Sequence, residues 1–363
     1  MNFKNLVVLL FICWVCNACH EGLEALPETV SIEVKEKNLN SATVSLSATK
    51  PGRGQGGNWS FVSNNASTAS FSDERNPLAT FTGDPFETYT LKWTLSLHTN
   101  SGDSETSGDI TFRMADGYSV AELIGANIPL GKIADSVLLE DLKTAGATDA
   151  QLKSAGVIGE VQDGEGNVYP WVKIKKNIWM TKNLQATKYA DGTLINDVAP
   201  YNNDAANTDT YGLLYTWYAA RKDAPEAQTA GVQGVCPTGW HMPTYQEFSD
   251  LPHEGVLLKT SGTLEDGTGL WRDSGNEGNN KSGFSALPGG YGRYQADPDH
   301  PQHGLNYTDF TESAGFLISS YSTGSLTDHC GSFYVSYSTP DAVFTYSSGG
   351  SRLSVRCVKD SDR

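Results

Sequence analysis

From Thr29 to Met114 apolar residues recur at every second position, and this period constrains the chain more than any other feature. Val30, Ile32 and Val34 share one side of an extended segment. So do Val44 and Leu46, then Leu91, Trp93, Leu95 and Leu97, and the series closes with Ile110, Phe112 and Met114. Side chains alternate across a strand, so each run has one face to bury and one to leave in water. Turn-forming clusters separate the runs, as in Pro51-Gly52-Arg53-Gly54 and Thr99-Asn100-Ser101-Gly102-Asp103. About seven short strands at this spacing predict two antiparallel sheets packed face to face over residues 29–116.

Such a series resembles an immunoglobulin-like β-sandwich. It lacks the inter-sheet cysteine pair of antibody domains, and resembles the sandwich modules that bacterial surface proteins use as spacers. A spacer without a ligand of its own is expected here.

Ahead of the sandwich, Lys4 precedes an apolar run from Leu6 to Val15 that is too short to span a bilayer and reads as a signal segment. It ends at Cys16-Asn17-Ala18-Cys19, which resembles a bacterial lipobox, although Cys16 stands where leucine is usual. The expectation is a lipoprotein signal peptide over 1–18, acylation of Cys19, and a tether over 19–28. The alternative is an ordinary signal peptide cut nearby. Each buried methylene of an acyl chain contributes about 0.8 kcal/mol, so a multiply acylated Cys19 would hold the chain on a membrane. Glu21 follows soon after, as in some lipoproteins displayed on the outer face. The expected location is therefore the cell outer membrane, facing outward. The net charge of −16, from 26 basic and 42 acidic residues, argues against nucleic acid and against adhesion to anionic lipid. Beyond Cys19 the cysteines are Cys236, Cys330 and Cys357. An exported chain permits a disulfide among them, with buried thiols as the alternative.

Residues 117–158 change character. Leu123, Ile133, Leu142 and Leu152 recur every nine or ten residues, and the segments around Leu142 and Leu152 end at Gly146 and Gly156. Glycine there suits a left-handed helix cap, so a short helical connector is expected.

From Gly159 to the end the chain carries ordered blocks. They are Asp163-Gly164-Glu165-Gly166-Asn167-Val168-Tyr169, Trp179-Met180-Thr181-Lys182-Asn183-Leu184 and Tyr211-Gly212-Leu213-Leu214-Tyr215-Thr216-Trp217. Cys236-Pro237-Thr238-Gly239-Trp240-His241-Met242-Pro243-Thr244 follows, then Ser282-Gly283-Phe284-Ser285-Ala286-Leu287-Pro288-Gly289-Gly290 and Ser354-Val355-Arg356-Cys357-Val358. The first reads as a strand, glycine turn and strand. Tyr211 to Ala220 reads as a helix with an aromatic face. Thr244 reads as an N-cap with Glu247 as its capping-box partner.

Together these blocks resemble the Fibrobacter succinogenes major paralogous domain over residues 159–360. That family is similar to the formylglycine-generating-enzyme branch of the C-type lectin fold. The resemblance implies an α+β C-type-lectin-like domain over 159–363, with Trp179, Trp217 and Trp240 in its core. It also implies a Cys236–Cys357 disulfide, since both cysteines stand in recurring blocks, and leaves Cys330 over. The expected fold class is thus multidomain: an all-β immunoglobulin-like sandwich followed by the α+β domain. The chain departs from the family after Gly315-Phe316, where Leu317-Ile318 replaces two tryptophans.

Residues 317–351 contain no Lys, Glu, Gln, Met or Trp. Every residue type present can be reached by changing only the adenines of an AAT or AAC codon, and those five cannot. Some proteins of this branch are targets of diversity-generating retroelements, which mutate adenines near the 3′ end of a gene. The segment is therefore expected to be a diversified binding surface, with an ordinary Ser/Tyr/Gly-rich loop and strand pair as the alternative. Tyrosine with Ser, Thr and Gly is also the palette of antibody binding loops. The candidate contacts are Tyr321, Thr323, Asp328, His329, Phe333, Tyr334, Tyr337, Asp341, Phe344 and Tyr346. Alternation exposes at most about half of them.

Catalytic and metal constellations are thin. Cys330 has no second cysteine near it in sequence, and no spacing links a histidine to it. His241, between Trp240 and Met242, reads as a packed core residue. Pro288-Gly289-Gly290-Tyr291-Gly292 lacks the Lys-Ser/Thr of a phosphate-binding loop. The Glu-Pro-Asn and Gln-Pro-Asp tripeptides of calcium lectins are missing, as are paired zinc-ligand spacings. No enzyme activity, cofactor or metal is expected. The expected function is recognition of a protein or glycan ligand on another cell or surface. The rivals are a fimbrial or cell-surface assembly subunit and, further off, a formylglycine-generating-type oxidase.

Overall fold

The computed structural model describes residues 22–38, 42–63, 69–222, 224–225, 228, 230–293, 306–321 and 329–360. The leader over 1–18 and the acylation candidate Cys19 lie outside them. The chain forms two compact units, residues 1–128 and 129–363.

In the first unit the strands are β1 (Ile32–Asn38), β2 (Thr43–Ala48), β3 (Gln55–Ser63), β4 (Ser70–Phe71), β5 (Thr80–Thr82), β6 (Thr88–Thr99) and β7 (Gly102–Arg113). One sheet has the order β1-β2-β5-β4 and the other β3-β6-β7. The period-two pattern is cleanest in β6, where Tyr89, Leu91, Trp93, Leu95 and Leu97 are buried and the intervening residues are not. Tyr89, Leu91, Trp93 and Leu95 meet Val44, Leu46, Trp59 and Phe81 in one core. The Trp59 and Trp93 rings lie 5.0 Å apart. Their indole N–H groups donate to the carbonyls of Asn76 and Thr49, each at 2.9 Å, so large apolar surface is buried without orphaning a donor. Helix α1 (Val120–Gly125) is capped by a reciprocal Ser119–Glu122 box.

The segment expected as a connector is divided: α1 belongs to the first unit, and three short helices belong to the second. These are α2 (Leu130–Ile133), α3 (Leu139–Thr144) and α4 (Asp149–Ser154). Gly146 and Gly156 take positive φ after α3 and α4. Ile133, Leu142 and Leu152 are fully buried, and Lys173 ties α2 down through the Gly131 carbonyl and Asp135.

Next come β8 (Ile158–Gln162), β9 (Val168–Ile174), β10 (Asn177–Met180), β11 (Val198–Ala199), α5 (Thr208–Tyr211), β12 (Leu214–Thr216), α6 (Trp217–Arg221) and β13 (Trp240–His241). They are followed by α7 (Tyr245–Ser249), α8 (Gly255–Leu258), β14 (Gly289–Arg293), β15 (Asn306–Phe310), β16 (Ser313–Tyr321), β17 (His329–Ser336), β18 (Val343–Ser348), β19 (Arg352–Ser354) and β20 (Val358–Lys359). One sheet runs β13-β20-β10-β9-β8. A larger one runs β11-β12-β19-β14-β16-β17-β18, with β15 on β14.

The helix expected over Tyr211–Ala220 is broken. Gly212 sits at φ +75°, where a Cβ would lie 2.8 Å from Asn183 Cβ, and the chain turns there into β12. Leu214 to Thr216 pair with Arg352 to Ser354 of β19, so sheet hydrogen bonds override the helical pattern. The capping box of α7 is present: Glu247 N–H donates to Thr244 Oγ1, and Thr244 N–H donates to Glu247 Oε2 at 2.7 Å.

Cys236 and Cys357 form a disulfide. Beside it Arg356 is fully buried. Its guanidinium donates to Asn183 Oδ1 at 2.8 Å, to the Phe284 carbonyl, and to the Ser285 carbonyl at 2.7 Å. It lies over the Phe284 ring at 4.6 Å. Burial pushes its pKa down to about 9, which leaves it charged at neutral pH. Arg356→Met should destabilise the second unit by about 3 kcal/mol or more, since each buried acceptor left unpaired costs roughly 1–3 kcal/mol. Arg356→Lys should recover only part of this, because a lysine lacks the planar fork. Urea unfolding checks both, and a wild-type midpoint for either variant would contradict the role assigned to the fork.

Candidate functional site

Register sorts the residues of β16, β17 and β18 onto two faces. Phe316 lies opposite Phe333, and Phe333 opposite Phe344. These rings join Trp179, Phe248 and Phe284 in one core cluster. On the other face Leu317 and Cys330 pack with Leu353 and Val355 in the second cluster. Further along that face the sheet opens into a cleft of about 550 Å³ lined by Tyr291, Ser313, Tyr334, Ser336, Thr345 and Ser347, with Arg293 and Asp309 at its side.

The cleft depends on a glycine. Gly315 faces Tyr334 across the ladder, and a Cβ there would lie 2.7 Å from the Tyr334 ring. Its absence lets the ring lie across β16, where it meets Tyr291 edge-on with centroids 5.4 Å apart. A chain of hydroxyls follows. Tyr334 OH lies 3.3 Å from Ser347 Oγ, which lies 3.0 Å from Ser332 Oγ, and Ser332 donates to the Thr345 carbonyl at 3.2 Å. Burial raises the pKa of both Tyr334 and Tyr291, so each keeps its phenolic proton and can donate as well as accept.

The structure separates the sequence candidates. Tyr346 and Asp341 are exposed. Tyr334 and Tyr337 are half-buried, and Tyr334 presents its hydroxyl to the cleft. Phe344 is half-buried against Tyr245, with centroids 4.4 Å apart. Phe333 is corrected: it is 2% exposed and stacks on Phe248 at 4.6 Å, so it packs the core and offers no surface contact. Tyr321 ends β16 and His329 opens β17, while their side chains, with Thr323 and Asp328, lie outside the described residues. Cys330 keeps a buried thiol, which donates to the Ser347 carbonyl at 3.4 Å.

Sequence reasoning passed over Tyr291, Ser313, Thr345 and Ser347. Tyr291 was hidden in a glycine-rich stretch weighed only as a phosphate-binding loop. The small hydroxyl residues give no signal by type, and only strand parity with Tyr334 marks Thr345 and Ser347.

The two units define a multidomain, β-rich protein whose second unit is a disulfide-closed assembly of two sheets. A family model, the Fibrobacter succinogenes major domain, matches residues 172–359, more than half of the chain, and the chain belongs to that family. The Asp163 block lies ahead of the matched residues. No curated protein and no solved structure matches the chain.

A second polar cluster surrounds His241, which is 9% exposed. Its Nδ1 lies 2.6 Å from Asp360 Oδ1 and its Nε2 lies 2.8 Å from Glu247 Oε1. Both carboxylates are satisfied at once only when both ring nitrogens carry protons. Burial opposes that charge, but the hydrogen bonds and charges of Glu247 and Asp360 outweigh it and raise the histidine pKa. Burial likewise opposes charge on Glu247, and His241 with the Thr244 N–H outweighs it and lowers the carboxyl pKa. A raised folded-state pKa stabilises fully below the unfolded histidine value and is lost as pH rises through the folded value. The lowered Glu247 pKa stabilises above the ordinary carboxylate value and is lost as pH falls through the folded one. The second unit should therefore be most stable between these limits and weaken as pH rises past the histidine range. His241→Gln should remove that alkaline decline. Urea midpoints from about pH 5 to 9 span the histidine value; identical profiles for the two proteins would refute the clamp.

Proposed function

We propose that the chain is a lipid-anchored, outward-facing protein of the outer membrane whose second unit is a non-enzymatic binding head. The first unit is read as an immunoglobulin-like stem: its order, β1-β2-β5-β4 against β3-β6-β7, is that of constant-type immunoglobulin sandwiches. The second is read as a C-type-lectin-like scaffold, with the Cys236–Cys357 disulfide and buried Trp179, Trp217 and Trp240 beneath the recognition surface.

The observation that carries the reading is the hydroxyl-lined cleft beside the sheet's edge strand β18. Seven of its eleven lining residues, from Tyr334 to Ser351, fall in the segment 317–351. In β18 itself Val343, Thr345 and Tyr346 are exposed. A rigid sheet presenting tyrosine and small hydroxyl residues suits recognition, because tyrosine brings large contact area at low entropic cost.

Diversification of this segment fits the fold only at outward positions. Sequencing the 3′ end of the gene from many cells of one population should show substitutions at Asp341, Val343, Thr345 and Tyr346, drawn from adenine positions. Leu317, Phe333 and Val335, all buried, should stay fixed. An invariant segment would remove diversification and leave a fixed adhesin or an assembly subunit.

Recognition itself is tested by adhesion of the full chain to a panel of bacterial and epithelial cells. Alanine at Asp341, Thr345 and Tyr346 together should weaken it about tenfold or more, as expected when a central aromatic contact is lost. Undiminished adhesion would sink the reading. A stoichiometric partner chain that co-purifies equally with wild type and variant would favour the assembly subunit.

A further inference from the structure

We propose that the cleft beside β14, β17 and β18 receives a saccharide unit of a glycan, held by direct hydroxyl and aromatic contacts; this rests on the binding-head reading above. Three observations lead to it.

The first is the lining. Tyrosine, serine and threonine surround the cleft, joined by the Asp309 carboxylate and the Arg293 guanidinium, and no aliphatic side chain lines it among the described residues. Protein partners are held chiefly by apolar and aromatic anchors in desolvated pockets. A cleft of paired hydroxyls strips water from any ligand that fills it, so the ligand must return hydrogen bonds at the same density. A sugar, with a hydroxyl on most ring carbons, does so.

The second is Ser313. It is 6% exposed, lines the cleft, and its Oγ has no hydrogen-bond partner among the described residues. A buried hydroxyl left unpartnered is destabilising, and turning about the Cα–Cβ bond toward the cleft would let a ligand hydroxyl satisfy it.

The third is Tyr291, which lines the same cleft, is only partly buried and meets Tyr334 edge-on. Its ring offers an apolar face for the C–H side of a pyranose, while Thr345, Ser347 and the Tyr334 hydroxyl supply the polar contacts. The volume of about 550 Å³ falls within the roughly 300–1,000 Å³ of small-ligand sites and suits a mono- or disaccharide. An extended peptide would instead pair with the main chain of β18 and leave Ser313 unsatisfied.

The test applies the full chain to an immobilised array of defined mammalian, plant and bacterial oligosaccharides. The retained sugar is then titrated calorimetrically. Tyr291→Ala and Ser313→Ala should each weaken binding about tenfold, the effect of one lost contact of this kind. Leu194→Ala, a substitution at an exposed residue outside the cleft lining, should bind as wild type. Ser313→Ala should also melt at the same or a higher temperature, since it removes an unpartnered hydroxyl; a merely structural serine would melt lower. Retention of no sugar, or wild-type affinity in both cleft variants, overturns the inference. Cell adhesion that survives periodate oxidation of surface glycans but not proteolysis would assign the head a protein ligand, overturning the saccharide and keeping the head. Failure of both adhesion and sugar binding would overturn both.

Discussion

The second unit is organised around a buried positive charge. Removing a guanidinium from water costs several kcal/mol, and geometry must return that cost through hydrogen bonds. Arg356 meets it with oxygens from Asn183, Phe284 and Ser285 and with the face of Phe284. Asn183 in turn donates to the Tyr211 carbonyl and to Ser354 Oγ. Four of the recurring sequence blocks are thus held by one guanidinium and one amide, and the disulfide at Cys357 fastens a fifth. This gives the blocks a physical reason to occur together. None of them needs to touch a ligand.

The same device recurs. Arg221 is buried over Trp217 and donates to the carbonyls of Ser319, Pro225 and Gln228. Lys259 is buried near the Trp271 ring and donates to the carbonyls of Asn276 and Ser336. Long irregular segments carry many carbonyls that no ladder satisfies, and a cation with several donors collects them. Two of these cations hold β16 and β17 by their carbonyls, at Ser319 and Ser336. The strands bearing the cleft are therefore fixed from beneath, while their outward side chains are left without a packing role.

Much of this was legible in the sequence. The period-two pattern of Leu91, Trp93, Leu95 and Leu97 sets the core of the first unit, because strand geometry leaves those side chains one place to go. The capping box at Thr244 and the glycine ends at Gly146 and Gly156 were readable because each is a local motif. What was hidden depends on distant partners. Leu214 to Thr216 look helical until β19, far along the chain, offers them a ladder. Ser313 gains meaning only when β14, β16 and β17 come together around it. Phe333 and Tyr346 share one face of the sheet by register, and only the packing of Phe248 beneath that face buries the first and leaves the second exposed.

The central claim is a division of labour between a fixed scaffold and an outward surface. Saturation mutagenesis of residues 313–351, scored in parallel for protease resistance and for ligand binding, tests it most directly. The account predicts that substitutions at Leu317, Phe333 and Val335 lose both, while those at Ser336, Thr345 and Tyr346 keep protease resistance and change binding. Binding that tracks protease resistance at every position, with no residue separating the two, would contradict it.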